Sequence, residues 1–243
     1  MKYVGSKSRV AKQIVPIINR FREQTPNGLY IEPFVGGANV IDKVLGGDKI
    51  GYDANPYLIA LLNHVKYDGW LPDKVSRTEY ESVRSSPRTY AGWYVGCVGF
   101  LASYNGKFFG GYAGIVHTKA GTTRDYYDES RRNLLAQAKR FKDVQFVHMD
   151  YRDLEPTGCV IYCDPPYAST TGYAGAPPFK PDEFWAKAQQ WAENNTVLVS
   201  EQTAPDWATC IWEQEVKRTL DNKKRTSVCE RLYLIEKGEM KNE

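Results

Sequence analysis

An α/β fold on a doubly wound, mostly parallel sheet is what the sequence predicts. Three observations carry that reading. Short β-prone apolar runs alternate with stretches of helical spacing towards both ends of the chain. Two of the runs stop at glycine- or proline-bearing turns, after Ile31 and after Cys163. The last two runs follow each other with no helix between them. The first element is a helix, because Val10, Ile14, Ile17, Ile18 and Phe21 recur at helical spacing, with Pro16 a kink. Leu29-Tyr30-Ile31 is then a strand running into Glu32-Pro33-Phe34-Val35-Gly36-Gly37, and a helix is expected from Ala38 to Leu45, ended by Gly46-Gly47. Lys49 to Tyr52 gives a second strand closed by Asp53, and Leu58, Leu61, Leu62 and Val65 mark the next helix.

From Lys66 to Arg140 the pattern turns polar, aromatic and glycine-rich, so residues 66–140 read as an insertion and residues 1–65 with 141–243 as the sheet domain. Alternation returns with strands at Val144 to Met149 and Cys159 to Cys163, a helix from Asp182 to Glu193, and a strand from Thr196 to Ser200. Ile211 to Val216 and Arg231 to Ile235 are expected to form an antiparallel hairpin joined by a basic loop, Lys217 to Arg225.

A chain of 243 residues can bury a full core, and its 42% hydrophobic and 25% charged content is that of a globular protein, without low-complexity sequence or repeats. Its apolar runs are too short to span a bilayer, and the opening Met1 to Lys7 lacks a signal peptide's apolar segment, so a cytoplasmic protein is expected. The five cysteines are irregularly spaced and His64, His117 and His148 are scattered, which argues for free thiols and against a metal site. A net charge of +3 permits a nucleic-acid partner without demanding one.

The residues that carry chemistry lie at strand ends. Asp164-Pro165-Pro166-Tyr167 follows the run Cys159 to Cys163, and two prolines there stop both ladder pairing and immediate helix formation. A stiff loop with a carboxylate and an aromatic ring therefore stands at a strand's carboxyl end, where open α/β sheets bind ligands. Taken alone the run also fits an ordinary strand-ending turn. Gly36-Gly37 lets backbone come close to a ligand, and the helix expected after it would offer positive charge to a carboxylate. The three-glycine dinucleotide spacing is absent, so a pyrophosphate cofactor is disfavoured. Asp53 stands 21 residues after Glu32 at the end of the second strand, where an acidic residue accepts from ribose hydroxyls. A helix cap before Asn55-Pro56 is its competing role.

Four blocks in order make a resemblance plain. Lys2-Tyr3-Val4-Gly5-Ser6-Lys7, Tyr30 to Gly37, Asp53-Ala54-Asn55-Pro56, and Tyr162-Cys163-Asp164-Pro165-Pro166-Tyr167-Ala168 together resemble the Dam-type, or D12 class, DNA adenine-N6 methyltransferases, with Ser6 where a second glycine is common. The resemblance implies a Rossmann-like S-adenosylmethionine-dependent methyltransferase sheet with an antiparallel C-terminal hairpin and an inserted target-recognition domain. It implies S-adenosylmethionine as cofactor, with Tyr3 and Lys7 closing over it, Phe34, Gly36 and Gly37 lining the amino-acid end, Asp53 on the ribose and Asp164 beside the methyl group. Tyr151 matches the adenine-contact region, with a core role as its alternative.

On the same resemblance, Asp164 and the Pro165 carbonyl accept from the adenine amino group, Pro166 stiffens the loop, and Tyr167 stacks on a base flipped out of double-stranded DNA. Phe179 and the loop Ser169 to Pro178 would close over that base, a plain surface loop being the other reading. Recognition falls to the insertion, with Tyr104, Asn105, Lys107 and Arg124 as the side chains that read DNA, and with Lys223, Lys224 and Arg225 on phosphate. Ser103 to Phe108 only partly matches the pattern of GATC-specific members, so no target sequence is assigned. No membrane and no obligate protein partner are expected. Adenine methylation in RNA, cytosine N4 methylation and a DNA-binding module without catalysis are the alternatives.

Overall fold

The computed structural model describes residues 1–26, 28–117, 121–166, 179–221 and 224–237, without the side chains of 217–221 and 224–226. Its centre is a seven-stranded sheet made from β1 (Tyr30–Glu32), β2 (Lys49–Asp53), β5 (Val144–His148), β6 (Val160–Cys163), β7 (Thr196–Glu201), β8 (Ala208–Asp221) and β9 (Lys224–Ile235). The strand order is β5-β2-β1-β6-β7-β9-β8. Every pair from β5 to β7 is parallel, whereas β9 runs antiparallel to β7 and β8 antiparallel to β9. The chain winds outward from β1 through β2 to β5, returns to β6 on the other side of β1, and winds outward again. The switch point therefore lies between β1 and β6, so the loops after Glu32 and Cys163 face each other at the carboxyl edge.

Period-2 alternation splits the strand side chains between two apolar clusters. Tyr30, Val160, Tyr162, Leu198 and Leu232 face α1 (Ala11–Glu23), α2 (Pro56–Tyr67) and α5 (Tyr126–Ala138), while Ile31, Ile161, Cys163, Val199 and Tyr233 face α6 (Pro181–Ala192). Pro16 lies inside α1. Asn55 caps α2, its side chain accepting from the Tyr57 and Leu58 amides at 3.0 and 3.1 Å.

The insertion contributes α3 (Arg77–Ser85), α4 (Gly92–Gly96), a π-helical turn at Cys97–Leu101, and a small hairpin of β3 (Ile115–His117) and β4 (Thr123–Asp125). Its Tyr80, Val83, Val95 and Phe100 belong to the same cluster as the sheet residues Tyr30 and Val160. A Cβ at Gly96 would stand 2.1 Å from the Tyr57 carbonyl, so only glycine lets α4 lie against α2. Among the described residues, no helix is long and apolar enough to cross a membrane.

Two expectations are corrected. The helix from Ala38 to Leu45 is a single 3-10 turn, Ile41–Lys43. Ala38 holds a positive φ of 54°, and the carbonyls of Gly37 and Ala38 are taken by the Gln137 side chain at 3.1 and 2.8 Å, so they do not enter a helical ladder. The positive helix end expected beside Gly37 is consequently absent. The basic segment Lys217 to Arg225 is mostly strand, because β8 and β9 pair from Ala208 to Asp221 and from Lys224 to Ile235. β7 meets only Arg231 to Ile235 of β9, so the rest of the hairpin projects as a two-stranded ribbon roughly 20 Å beyond the sheet.

Candidate active site

The switch point gathers loops from β1, β2, β5 and β6. After β1 the chain turns back, with the Val35 amide donating to the Tyr52 carbonyl at 2.8 Å. That turn aims the Gly36 amide at Asp53 Oδ2, 3.1 Å away, while Asp53 Oδ1 accepts the Asn55 amide at 2.9 Å. Asn55 therefore does the capping, and Asp53 is held by two backbone amides with lone pairs to spare. Burial pushes the Asp53 carboxyl up to about 6 despite those two hydrogen bonds. Glu32, at the end of β1, is buried and accepts the Tyr30 hydroxyl at 2.7 Å, and burial holds its carboxyl well above the ordinary carboxylate range.

What approaches the two glycines closely is Tyr3. A Cβ at Gly36 would lie 3.0 Å from the Tyr3 ring, and one at Gly37 would lie 2.7 Å from Tyr3 Cβ. The far face of Tyr3 stacks on Phe100 of the insertion at 5.7 Å, and a Cβ at Gly106 would fall 2.3 Å from the Lys2 carbonyl. Residues 1–7 are thus clamped between the glycine turn and the insertion.

Beyond that clamp, Lys7 opens a 3-10 turn, Lys7–Arg9, and its buried ammonium lies 3.0 Å from Asp164 Oδ1 and 3.1 Å from Glu230 Oε2. Asp164 is partly exposed, and Pro165 behind it is buried. Tyr162, two residues earlier, donates to Ser200 Oγ at 2.9 Å, which ties the end of β6 to β7.

On the other side of the edge, Phe34, Tyr151, Phe179 and Phe184 form a box of rings with centroids 5.0 to 6.1 Å apart. Tyr151 follows β5, whose His148 is in register with Asp53, so the box stands next to that carboxylate along the edge. The Tyr151 hydroxyl is buried and has no hydrogen-bond partner among the described residues. The rings fill the space between one another: Tyr151 and Phe184 are buried in the cluster, and Phe34 and Phe179 are partly buried against it.

The insertion residues expected to read DNA are placed as follows. Tyr104 and Asn105 are exposed on a 3-10 turn, Tyr104–Gly106, with Asn105 at a φ of 55°, and Lys107 is exposed just after it. Arg124 of β4 is bonded to Glu129 at 2.7 and 2.8 Å and lies over the Tyr126 ring at 4.8 Å. Tyr104 meets the same ring edge-on at 6.4 Å, and Lys2 lies over it at 5.0 Å. Tyr126 therefore brings Tyr104, Arg124 and Lys2 together, beside an open cleft of about 400 Å³ that also reaches Arg140. Tyr167, residues 169–178 and Lys223 lie outside the described residues. For Lys224 and Arg225 only the backbone, in β9, is described. No group of metal-ligating side chains occurs among the described residues.

Glu230 and Tyr126 were not singled out by sequence reasoning. For Glu230 a signal was present, since it shares the alternating face of β9 with Leu232 and Leu234, and a carboxylate on an apolar face needs a cation. Tyr126 carried no such signal.

Residues 3–93 match the family model of the D12 class N6 adenine-specific DNA methyltransferases. The chain is 28% identical over 214 residues to a DNA adenine methylase of Serratia marcescens, covering 78% of this chain and 74% of that one. Among solved structures, it is similar to a chain from Pyrococcus horikoshii described as an RNA methyltransferase, at a TM-score of 0.47 and 10% identity, covering 97% of this chain and 86% of the other. It is also similar to a magnesium protoporphyrin IX methyltransferase of Synechocystis, at a TM-score of 0.42 and 7% identity over 96% of this chain and 81% of the other.

Proposed function

From its similarity to the D12 class N6 adenine-specific DNA methyltransferases, we propose that the chain is a member of that class and transfers a methyl group from S-adenosylmethionine to the N6 of an adenine flipped out of double-stranded DNA. The observation that carries this reading is Asp164 at the switch point, held by Lys7 and followed by a buried proline.

The residues fit such a cofactor. Asp53 takes the ribose hydroxyls on its remaining lone pairs, and Tyr151, which follows the strand paired with the Asp53 strand, contacts the adenine ring. S-adenosylmethionine supplies a methyl group on a positively charged sulfur, which departs as a neutral thioether.

The chain's own contribution is to the nucleophile. An adenine amino group is a poor one, because its lone pair is delocalised into the ring. Asp164 and the Pro165 carbonyl accept its two hydrogens and favour the pyramidal nitrogen whose lone pair forms the new bond to carbon. One amino proton must then leave, and Asp164 stands where it can take it and pass it to solvent. Because the loop is stiff, much of the rate comes from holding the nitrogen in line. Residues 66–140 read the DNA through Tyr104, Asn105, Lys107 and Arg124, and Lys223, Lys224 and Arg225 contact phosphate.

The test is incubation with S-adenosylmethionine and unmethylated duplex DNA, with RNA in parallel, followed by mass spectrometry of the released nucleosides. N6-methyldeoxyadenosine from DNA alone is the expected product. Methyl transfer confined to RNA or to cytosine overturns the substrate.

A further inference from the structure

Lys7 joins two carboxylates that the chain brings from distant places. Asp164 comes from the loop after β6, and Glu230 comes from the middle of β9, on the face shared with Leu232 and Leu234. A carboxylate at that depth is tolerated because the ammonium meets it. Two further carboxyl groups stand nearby, Glu201 at the end of β7 and the buried Glu32 at the end of β1, and burial raises both above the ordinary range.

We infer, on the methyl-transfer reading above, that Glu230 is a positioning residue for the reaction. It holds the Lys7 ammonium between two carboxylates, so that Asp164 keeps its strength as an acceptor for the substrate amino group. The argument is one of charge. Asp164 must become a stronger acceptor as the nitrogen turns positive, and an ammonium 3.0 Å away works against that. In a desolvated site such an opposition is felt far more than in water. With Glu230 on its other side the ammonium is shared, and the three groups together keep one negative charge beside a positively charged methyl donor. With Glu230 neutral, Lys7 and Asp164 cancel each other.

Glu230→Gln keeps the shape and removes the charge. Taking away one preorganised electrostatic group at a reacting centre costs about 100- to 1000-fold. Glu230 acts through Lys7, so a fall in kcat of about 10- to 100-fold is expected, with the KM values for DNA and S-adenosylmethionine within about twofold of the parent. The acid limb of the kcat profile moves to lower pH, because the negative charge of Glu230 no longer stands beside the Lys7–Asp164 pair. Glu230→Asp recovers part of the loss. Glu213→Gln, which removes an exposed partner of Arg231 on the same hairpin, changes none of these.

Should E230Q not fold, the double variant Lys7→Gln/Glu230→Gln carries the test, since it buries no unmatched ion and leaves Asp164 its charge. The double variant is expected to keep kcat within about tenfold of the parent, and above that of E230Q where the latter folds. A kcat for E230Q equal to the parent's, a change in KM alone, no recovery in E230D, or losses that simply add in the double variant overturns the inference. Transfer by the parent with E230Q indistinguishable overturns this inference alone. No transfer by the parent to any nucleic acid overturns the methyl-transfer reading with it.

Discussion

Besides the role proposed for it at the substrate, Asp164 shares Lys7 with Glu230. Asp164→Ala leaves Lys7 and Glu230 as a matched pair, so the fold is expected to survive. Transfer is expected to fall by at least about 1000-fold, while the circular dichroism stays that of the parent. Asp53 gives a pH dependence. Its carboxyl sits at about 6, and the charged form is the one that accepts ribose hydroxyls, so cofactor affinity is expected to weaken as pH falls through 6 and to be full above 7. Binding near pH 6 should release a proton, read by calorimetry in buffers of different ionisation enthalpy. Asp53→Asn should raise the Kd about 10- to 100-fold, the worth of hydrogen bonds to a charged group. Asp164 and Asp53 could be singled out from the sequence because each stands at the end of its own strand. Glu230 could not be assigned a role that way, because its partner depends on which strands become neighbours.

At the scale of elements, the two departures have local causes. The stretch after Gly37 has helical spacing, but Gln137 of α5 claims its carbonyls, and nothing nearby in sequence announces a side chain 100 residues on. The basic hairpin resembles a loop in sequence because its charges interrupt the apolar alternation, whereas its backbone pairs as strand up to Asp221 and from Lys224. The cap of α2 that the sequence offers to Asp53 is taken by Asn55, and Asn55→Ala should cost about 1 kcal/mol in urea unfolding. Reversing Lys224 and Arg225 to Glu should weaken DNA binding about equally for all sequences and lower the salt slope by about one per charge removed, as measured by anisotropy titrations in increasing salt.

For the whole molecule, the insertion and the sheet are bound by one apolar cluster and by the clamped residues 1–7. Trp70 and Trp93 lie in the insertion, and the other four tryptophans lie beyond residue 140. Unfolding in urea followed by tryptophan fluorescence and by far-UV circular dichroism should therefore give one coincident transition, and two separated midpoints would show the insertion folding on its own.

The order in which the sheet is filled differs from the order in which it is made. β9 is the last of its strands in the chain, yet it lies between β7 and β8. During synthesis β8 emerges with no partner, and the edge of β7 stays open until β9 enters the gap. A chain stopped at residue 223 would lose more than its final strand. It would release β8 as a loose tail, leave β7 as a bare edge open to pairing with other chains, and take Glu230 away from Lys7.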